Sequence, residues 1–310
     1  MKQNSNKNGS SLIIVLIIFS ISVMLTAFAI NLSRKNIFSS AVLMDKLRAD
    51  IEAESVVEKI KFYASTGVFF SYWIQNKFSS YLEFPAILYI DGRRQMIDNN
   101  TIITLQDTGG LINIWNFYPS VVKNLLKKND CKKSKIRVVL DSIKDWYDKD
   151  NFCRMSGAEA SFYVSKGCLY APRNSKAAQS IYEWRIIKGI MDDNKTFDFL
   201  KKYIVISPNW RPNIDTMDKY MLSAFFDIPL DVAVSILKFK KKRKYLYKGD
   251  IETLFGIKDI CPEESFCAFP TFTLDIDVEY RFNKAMEKKR CLIDFKPDEK
   301  SPYRVLEWQD

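Results

Sequence analysis

The 310-residue sequence has no histidine, and only ten glycines and ten prolines. The missing histidine removes the commonest general base and the usual partner of a serine or cysteine nucleophile. No G-x-S-x-G elbow stands in for it, so a membrane-tethered hydrolase built on Asp148, Asp150 or Glu159 is disfavoured. Without histidine, and with no C-x2-C spacing among its six cysteines, the chain lacks the usual ligand sets for zinc. Glycine and proline are also unevenly missing. The first glycine after Gly9 is Gly67, and the first proline is Pro85. A stretch of that length without a helix breaker predicts one long helix from Gly9 to about Thr66.

That helix changes character along its length. Leu12 to Ile30 is apolar, interrupted only by Ser20, Ser22 and Thr26. As a helix this segment rises roughly 28 Å, enough to cross the hydrocarbon core of a bilayer. Beyond it, Ile37, Val42, Leu43, Leu47, Ile51, Val56, Val57 and Ile60 recur at spacings of three to five with charges between them. This predicts an amphipathic stalk outside the membrane. Lys2 and Lys7 are the only charges in the first nine residues. A positive flank of this kind stays cytoplasmic, which places everything after Ile30 on the far side. The alternative is an ordinary secretory signal, because Ala27-Phe28-Ala29 has the A-x-A form of a cleavage site. Against it, the apolar run is longer than the usual signal core and the amphipathic pattern follows without a turn.

Roughly 240 residues follow the helix, and 47% of the whole chain is apolar, enough for one large domain or two modest ones. The net charge is +10, with the densest basic run at Lys238, Lys240, Lys241, Lys242, Arg243 and Lys244. This run reads as a solvated helix end, with a surface for an anionic partner as the alternative. The cysteines are Cys131, Cys153, Cys168, Cys261, Cys267 and Cys291, none of them in the span or the stalk. An even number confined to the exported part suits disulfides in an oxidising compartment. Cys153 with Cys168 and Cys261 with Cys267 are the local choices, leaving Cys131 with Cys291, although six cysteines allow 15 pairings.

Strand patterns occupy the segment after the helix. Phe84 to Ile90 and Arg94 to Ile97 flank Asp91-Gly92, which predicts a hairpin, and Thr101 to Leu105 is a third strand. A largely helical stretch follows, with helices expected over Pro119–Lys128, Ile136–Tyr147, Ala177–Gly189, Thr196–Ile204, Met217–Phe226, Leu230–Phe239 and Lys248–Phe255, the last closed by Gly256. Strands return at Phe269–Tyr280, Arg290–Phe295 and Tyr303–Trp308. They complete the sheet begun before residue 115, so the helical block is an insertion. Ser180–Ile190 and Asp231–Ile257 have the outline of helix-hairpin segments, which can hold nucleic-acid phosphates through backbone amides. In the first, Gly189 lacks a second hairpin glycine, which favours protein contact over DNA. Asp148, Asp150 and Glu159 lie in a polar loop with Gly157, a pattern suited to Ca²⁺, which takes 6–8 oxygen ligands. The simpler alternative is that Asp145 and Asp148 cap a helix or stay solvated.

The step from Gly9 and Ser10 into Ser11-Leu12-Ile13-Ile14-Val15-Leu16 resembles the leader of type IV pilins and pseudopilins, which a membrane peptidase cuts after the glycine. Most members carry Glu at the fifth mature position, and here that position is Ile14. The K-type minor pseudopilin of type II secretion (general secretion pathway protein K) lacks that Glu. Four further stretches are similar to this family in order: Gln106–Ile114; Asp145–Asp150 with Gly157-Ala158-Glu159 and Tyr163; Glu183–Ile190; and Pro212–Thr216. Arg211-Pro212, the basic net charge and the extra cysteines depart from it.

The resemblance implies an α/β fold, a pilin-like long N-terminal helix on a small antiparallel sheet with a large helical domain inserted between strands. The corresponding division is a leader over residues 1–9, a membrane span over 10–31, a stalk over 32–66, an α/β domain over 67–118 and 262–310, and a helical insertion over 119–261. It further implies a structural, non-enzymatic subunit of a bacterial inner membrane, single-pass, with a cytoplasmic N-terminus and its bulk in the periplasm. That subunit would cap the pseudopilus and help start its assembly together with the I- and J-type minor pseudopilins. Prepilin peptidase and secreted proteins are the other expected contacts, and Ile14 would mark the tip position. Calcium in the helical domain is the cofactor implied, with no organic one. The alternative reading is a membrane-anchored periplasmic DNA-uptake pilin using the helix-hairpin segments and the basic run.

Overall fold

The computed structural model describes residues 7–116, 118–175, 178–208, 210–243, 246, 248–257, 269–296 and 301–309, with side chains from residue 11. Cys261, Cys267 and Lys244 lie outside the described residues, as do the side chains of Gly9 and Ser10.

Helix α1 runs unbroken over Lys7–Thr66. At 1.5 Å per residue this is roughly 90 Å. Its side chains from residue 11 to residue 44 are exposed, and the stretch from Ser11 is long and apolar enough to cross a membrane. The second half packs on a sheet, but not with the single stripe that the spacing suggested. Ala49, Ala53, Val56, Val57, Ile60, Tyr63 and Ala64 are buried, whereas Ile37, Val42, Leu43, Leu47 and Ile51 are exposed. Alanine faces the sheet first because only a small side chain lets the helix lie close to the strands. Leu47 and Ile51 are left on the exposed face.

After α1 come β1 (Val68–Phe69), β2 (Trp73–Gln75) and β3 (Ile87–Tyr89), a small three-stranded sheet in that order. β4 (Asp91–Met96) and β5 (Thr101–Asp107) belong to a second, five-stranded sheet. The hairpin expected at Asp91-Gly92 is therefore not formed. β3 pairs with β2 and β4 pairs with β5, and the chain crosses between sheets at Ile90. Gly92, at φ 74°, lies where the register slips between Asp91 and Arg94, so the glycine serves a bulge. The hairpin turn is one segment later, where Asp98 Oδ1 accepts from the amides of Asn100 and Thr101 at 2.7 and 2.8 Å.

Next, β6 (Ile112–Asn113) leads into α2 (Pro119–Lys128), α3 (Lys133–Tyr147), α4 (Ala160–Ser165) and α5 (Asn194–Leu200). β7 (Ile204–Val205) then pairs in parallel with β6. This ends the helix expected to reach Ile204, because the β-branched pair there finds a strand partner. α6 (Lys219–Phe225), α7 (Leu230–Arg243) and α8 (Lys248–Phe255) follow, with Gly256 at φ 64° after the last. Residues 181–186 form a 3-10 turn instead of the expected helix, so the first helix-hairpin segment is absent. Gly189, at φ 88°, lies against Val138 and Val139 of α3, where a hairpin glycine would need to face a ligand.

β8 (Thr273–Phe282), β9 (Ala285–Asp294) and β10 (Arg304–Gln309) return to the five-stranded sheet, whose order is β10-β9-β8-β5-β4. β8 pairs antiparallel with β5, from Thr101↔Tyr280 to Asp107↔Leu274, across the whole insertion. Two main cores result. One lies between α1 and the sheets, around Ile60, Ile74, Ile103 and Ile276. The other fills the helical insertion, around Leu125, Ile143, Trp184 and Leu222. Ile112 and Ile114 belong to the helical core, so the insertion begins before residue 119.

The thiols of Cys131, Cys153, Cys168 and Cys291 are free, so neither Cys153–Cys168 nor Cys131–Cys291 is a disulfide. Cys291 is buried under α1 in the sheet core, and Cys131 packs on the helical core. Cys153 is exposed with its Sγ 3.3 Å from the Arg154 carbonyl, while Cys168 is half-buried beyond α4.

Candidate functional site

The carboxylate loop follows α3. Asp148 is the C-terminal cap residue of that helix, and Glu159 precedes α4 without capping it by its side chain. Asp148, Asp150 and Glu159 each place a carboxylate oxygen within 4.8 Å of the others. Asp148 occupies the C-cap of α3 and Asp150 is exposed, but Glu159 is buried, so capping and solvation account for only part of the cluster. Both Glu159 oxygens and Asp148 Oδ1 are buried and have no hydrogen-bond partner in the protein. A buried carboxylate without a donor carries a large desolvation penalty. Burial first, and then the nearby Asp145, Asp148 and Asp150, push the Glu159 carboxyl up to about 7.

The neighbouring Asp145, expected as a helix cap or a solvated residue, is neither. Asp145, wholly buried on α3, accepts from the Arg154 backbone amide at 3.1 Å and from Arg154 Nη1 at 2.5 Å. Arg154 Nη1 also bonds Asp148 Oδ2. Gly157 fits against Asp145 so closely that an added Cβ would lie 1.8 Å from Asp145 Oδ2. Lys188 Nζ donates to the Gly157 carbonyl at 2.6 Å and so braces the loop from the segment after the 3-10 turn. Beneath it, Glu183 accepts from Arg173 Nη2 at 2.6 Å and from the Gln179 amide at 2.7 Å. Of the third similar stretch, Lys188 thus supports the loop, while Glu183 ties Arg173 and the Gln179 amide to Trp146 and Tyr147 at the end of α3. Orphaned, buried, convergent oxygens fit a hard divalent cation such as Ca²⁺. Asp148, Asp150 and Glu159 would hold it and waters or carbonyls would complete the shell.

A second polar cluster joins the two cores, and it escaped the sequence reading. Asp107, at the end of β5, is wholly buried. Its Oδ1 accepts from the Thr271 amide at 2.9 Å, and its Oδ2 from Asn213 Nδ2 at 2.9 Å and Thr216 Oγ1 at 3.4 Å. Asn213 Nδ2 also reaches the Ser71 carbonyl at 2.8 Å. Desolvation pushes the Asp107 carboxyl up to about 6 against these donors. The Asp107 and Asn213 of the similar stretches are therefore the bolts between sheet and insertion.

Nearby, Lys240 departs from the solvated basic run. It is buried, its ammonium 3.9 Å from the Tyr72 ring centroid and 3.7 Å from Asp91 Oδ2, and it donates to the Asp215 carbonyl. Lys238, Lys241, Lys242 and Arg243 remain exposed.

Residues 104–209 match the family model described as Type II secretion system (T2SS), protein K. The similarity to protein K covers about a third of the chain. The matched segment holds Asp107, the carboxylate loop, its Lys188 support and Glu183, while Asn213 and Thr216 lie just beyond it. Among solved structures, the chain is similar to one from the crystal structure of the GspK-GspI-GspJ complex of the enterotoxigenic Escherichia coli type 2 secretion system. The two share 16% identity with a TM-score of 0.53, over 87% of this chain and 97% of that one. At that identity the likeness speaks for the fold: a long helix, antiparallel sheet and helical insertion in one architecture. No curated protein matches the chain.

Proposed function

We propose that the chain is a minor pseudopilin at the tip of a type II secretion pseudopilus, anchored once in the bacterial inner membrane with its bulk in the periplasm. The observation that carries this reading is the union of a pilin-type α1 with a protein K insertion too bulky for the side of a filament. The lone apolar half of α1 supports the anchor, and the exposed Leu47 and Ile51 face supports packing against helices of other subunits. The E. coli structure is of a complex with I- and J-type subunits, which makes those the proposed partners. The role is structural rather than catalytic, the chain helping to start assembly. Cysteines placed at Leu47 and Ile51 should crosslink to one or two other minor pseudopilins in cells. Abundant self-crosslinks along a polymer would instead make this chain a filament-body subunit.

Within this reading, calcium binds at Asp148, Asp150 and Glu159 and stabilises the exported part. The melting temperature of the full chain in detergent should then rise with calcium over chelator, by a stabilisation of roughly 2.7 kcal/mol at a hundredfold excess over Kd. Superimposable curves would refute it. The DNA-uptake reading loses support, since the first hairpin is a 3-10 turn on α3 and Lys240 is buried under ion pairs.

A further inference from the structure

Arg154 stands beside the proposed calcium site in an unusual position. Its main chain is anchored to the buried Asp145 through its amide, and its guanidinium bridges Asp145 and Asp148, tying the loop back onto α3. The other cation near the loop, Lys188, spends its contacts on the Gly157 carbonyl and the Phe162 ring, 4.8 Å from the centroid. Among the described residues, Arg154 is thus the cation paired with Asp145 and Asp148. The bridge occupies one oxygen of Asp148 and leaves the other, with both of Glu159, unpartnered.

Resting on the calcium reading, we infer that Arg154 is the resident counter-cation of this cluster. It holds the 148–159 loop folded when no metal is present, and it competes electrostatically with a divalent cation for the same carboxylates. Two like charges that share Asp148, a partly shielded carboxylate, repel each other more than they would in water. The guanidinium and the metal therefore stabilise the loop at each other's expense. By linkage, whatever Arg154 contributes to the metal-free fold beyond its contribution to the loaded one is subtracted from the metal's affinity. The chain would keep its periplasmic part folded through periods without metal, at reduced calcium affinity.

The test uses the full chain in detergent, with calcium alone as the probe. Arg154→Met keeps the aliphatic stem and removes the charge. In chelator its melting temperature should fall by several degrees, and in saturating calcium by much less. Calorimetry should show tighter calcium binding, with Kd several-fold lower. An equal fall in both conditions, or weaker binding, would overturn the inference and make Arg154 a simple structural brace. If the variant is unfolded in chelator, its refolding on calcium addition supports the inference. If it is unfolded in both, Arg154→Lys decides: that side chain keeps a charge but cannot bridge, so its calcium-induced gain should exceed that of the wild type, and a gain no larger overturns the inference. A wild type that ignores calcium beside an Arg154→Met chain that responds would sink the native calcium reading alone and sustain the competition. A calcium response in the wild type with no larger one in the variant would sink the competition alone.

Discussion

Asp107 sits wholly inside the junction of sheet and insertion, where burial lifts its carboxyl from 3.8 to about 6. The folded chain then holds this proton more tightly than the unfolded chain does. The stabilisation from it is complete below about pH 3.8 and is lost as pH rises through about 6. Asp107→Asn mimics the protonated group at every pH. The stability of the wild type relative to that variant should fall by about 2 kcal/mol between pH 4 and 7, read as the difference between two denaturant titrations. A difference that stays flat would show that the junction keeps the carboxylate charged at no cost. Gly157 makes a second prediction at this scale. The Cβ of Gly157→Ala would collide with an Asp145 that Arg154 already immobilises. Overpacking of this kind costs about 1–3 kcal/mol, and the calcium-induced rise in melting temperature should shrink with it. The carboxylates themselves were legible because acidic residues in a polar loop are a compositional signal. The burial of Asp145 was not, because an acidic residue near the end of a helix reads as a cap or a solvated position, and the Arg154 that pairs with it lies beyond the helix in the loop.

At the scale of elements, α1 is two helices in function, a bare apolar half and a half bound to the strands. Salt bridges fasten the bound half to the β8–β9 hairpin, Asp50 to Lys289 at 2.7 Å and Lys46 to Glu287 at 3.8 Å. These contacts are at the edge, so the holding force is apolar burial along Ala53, Val57 and Ile60. Ile60→Ala should cost 2–5 kcal/mol, as truncations of wholly buried aliphatics do. Leu47→Ala, on the exposed face, should leave the melting temperature of the isolated chain nearly unchanged, within about 0.5 kcal/mol. Equal losses at the two positions would mean that the helix faces are assigned the wrong way round. The helices α2, α6, α7 and α8 fell close to their expected bounds, since each has apolar periodicity and a local stop. The 181–186 turn did not, because its apolar residues Ile181 and Trp184 are spaced for either winding and Gly189 already closes the segment against α3.

For the whole molecule, the proposed place in the filament makes the N-terminal residues decisive. Processing should occur between Gly9 and Ser10, and mass spectrometry of the protein from membranes reads the new terminus directly. A terminus at Ile30 would make α1 a cleaved signal and remove the pilin reading. With Ser10 first, Ile14 is the fifth residue of α1, within the apolar stretch long enough to cross a membrane. A carboxylate at this depth costs up to a few kcal/mol unless an ammonium answers it. A subunit placed first has no neighbour ahead to supply one. Ile14→Glu should therefore lower secretion in a complementation assay without increasing recovery of the chain in sheared filaments. Greater recovery there would place the chain in the filament body.

Short-range periodicity in the sequence was enough to determine the long helix, the order of strands, helical block and strands, and the acidic loop, because these depend on neighbours within a few residues. The sequence did not determine which face of α1 would meet the sheet. The apolar spacing runs through Leu47 and Ile51 as well as Val57 and Ile60, and only the fold shows that the sheet takes Ala49, Ala53, Val57 and Ile60 and leaves Leu47 and Ile51 exposed. Nor did it reveal that β3 leaves β4 for β2, or that Asp107 finds Asn213 and Thr271, since those partners are over a hundred residues away in the chain. Such pairings are selected by the desolvation of groups that meet only when the two cores close on one another, and no local pattern records them.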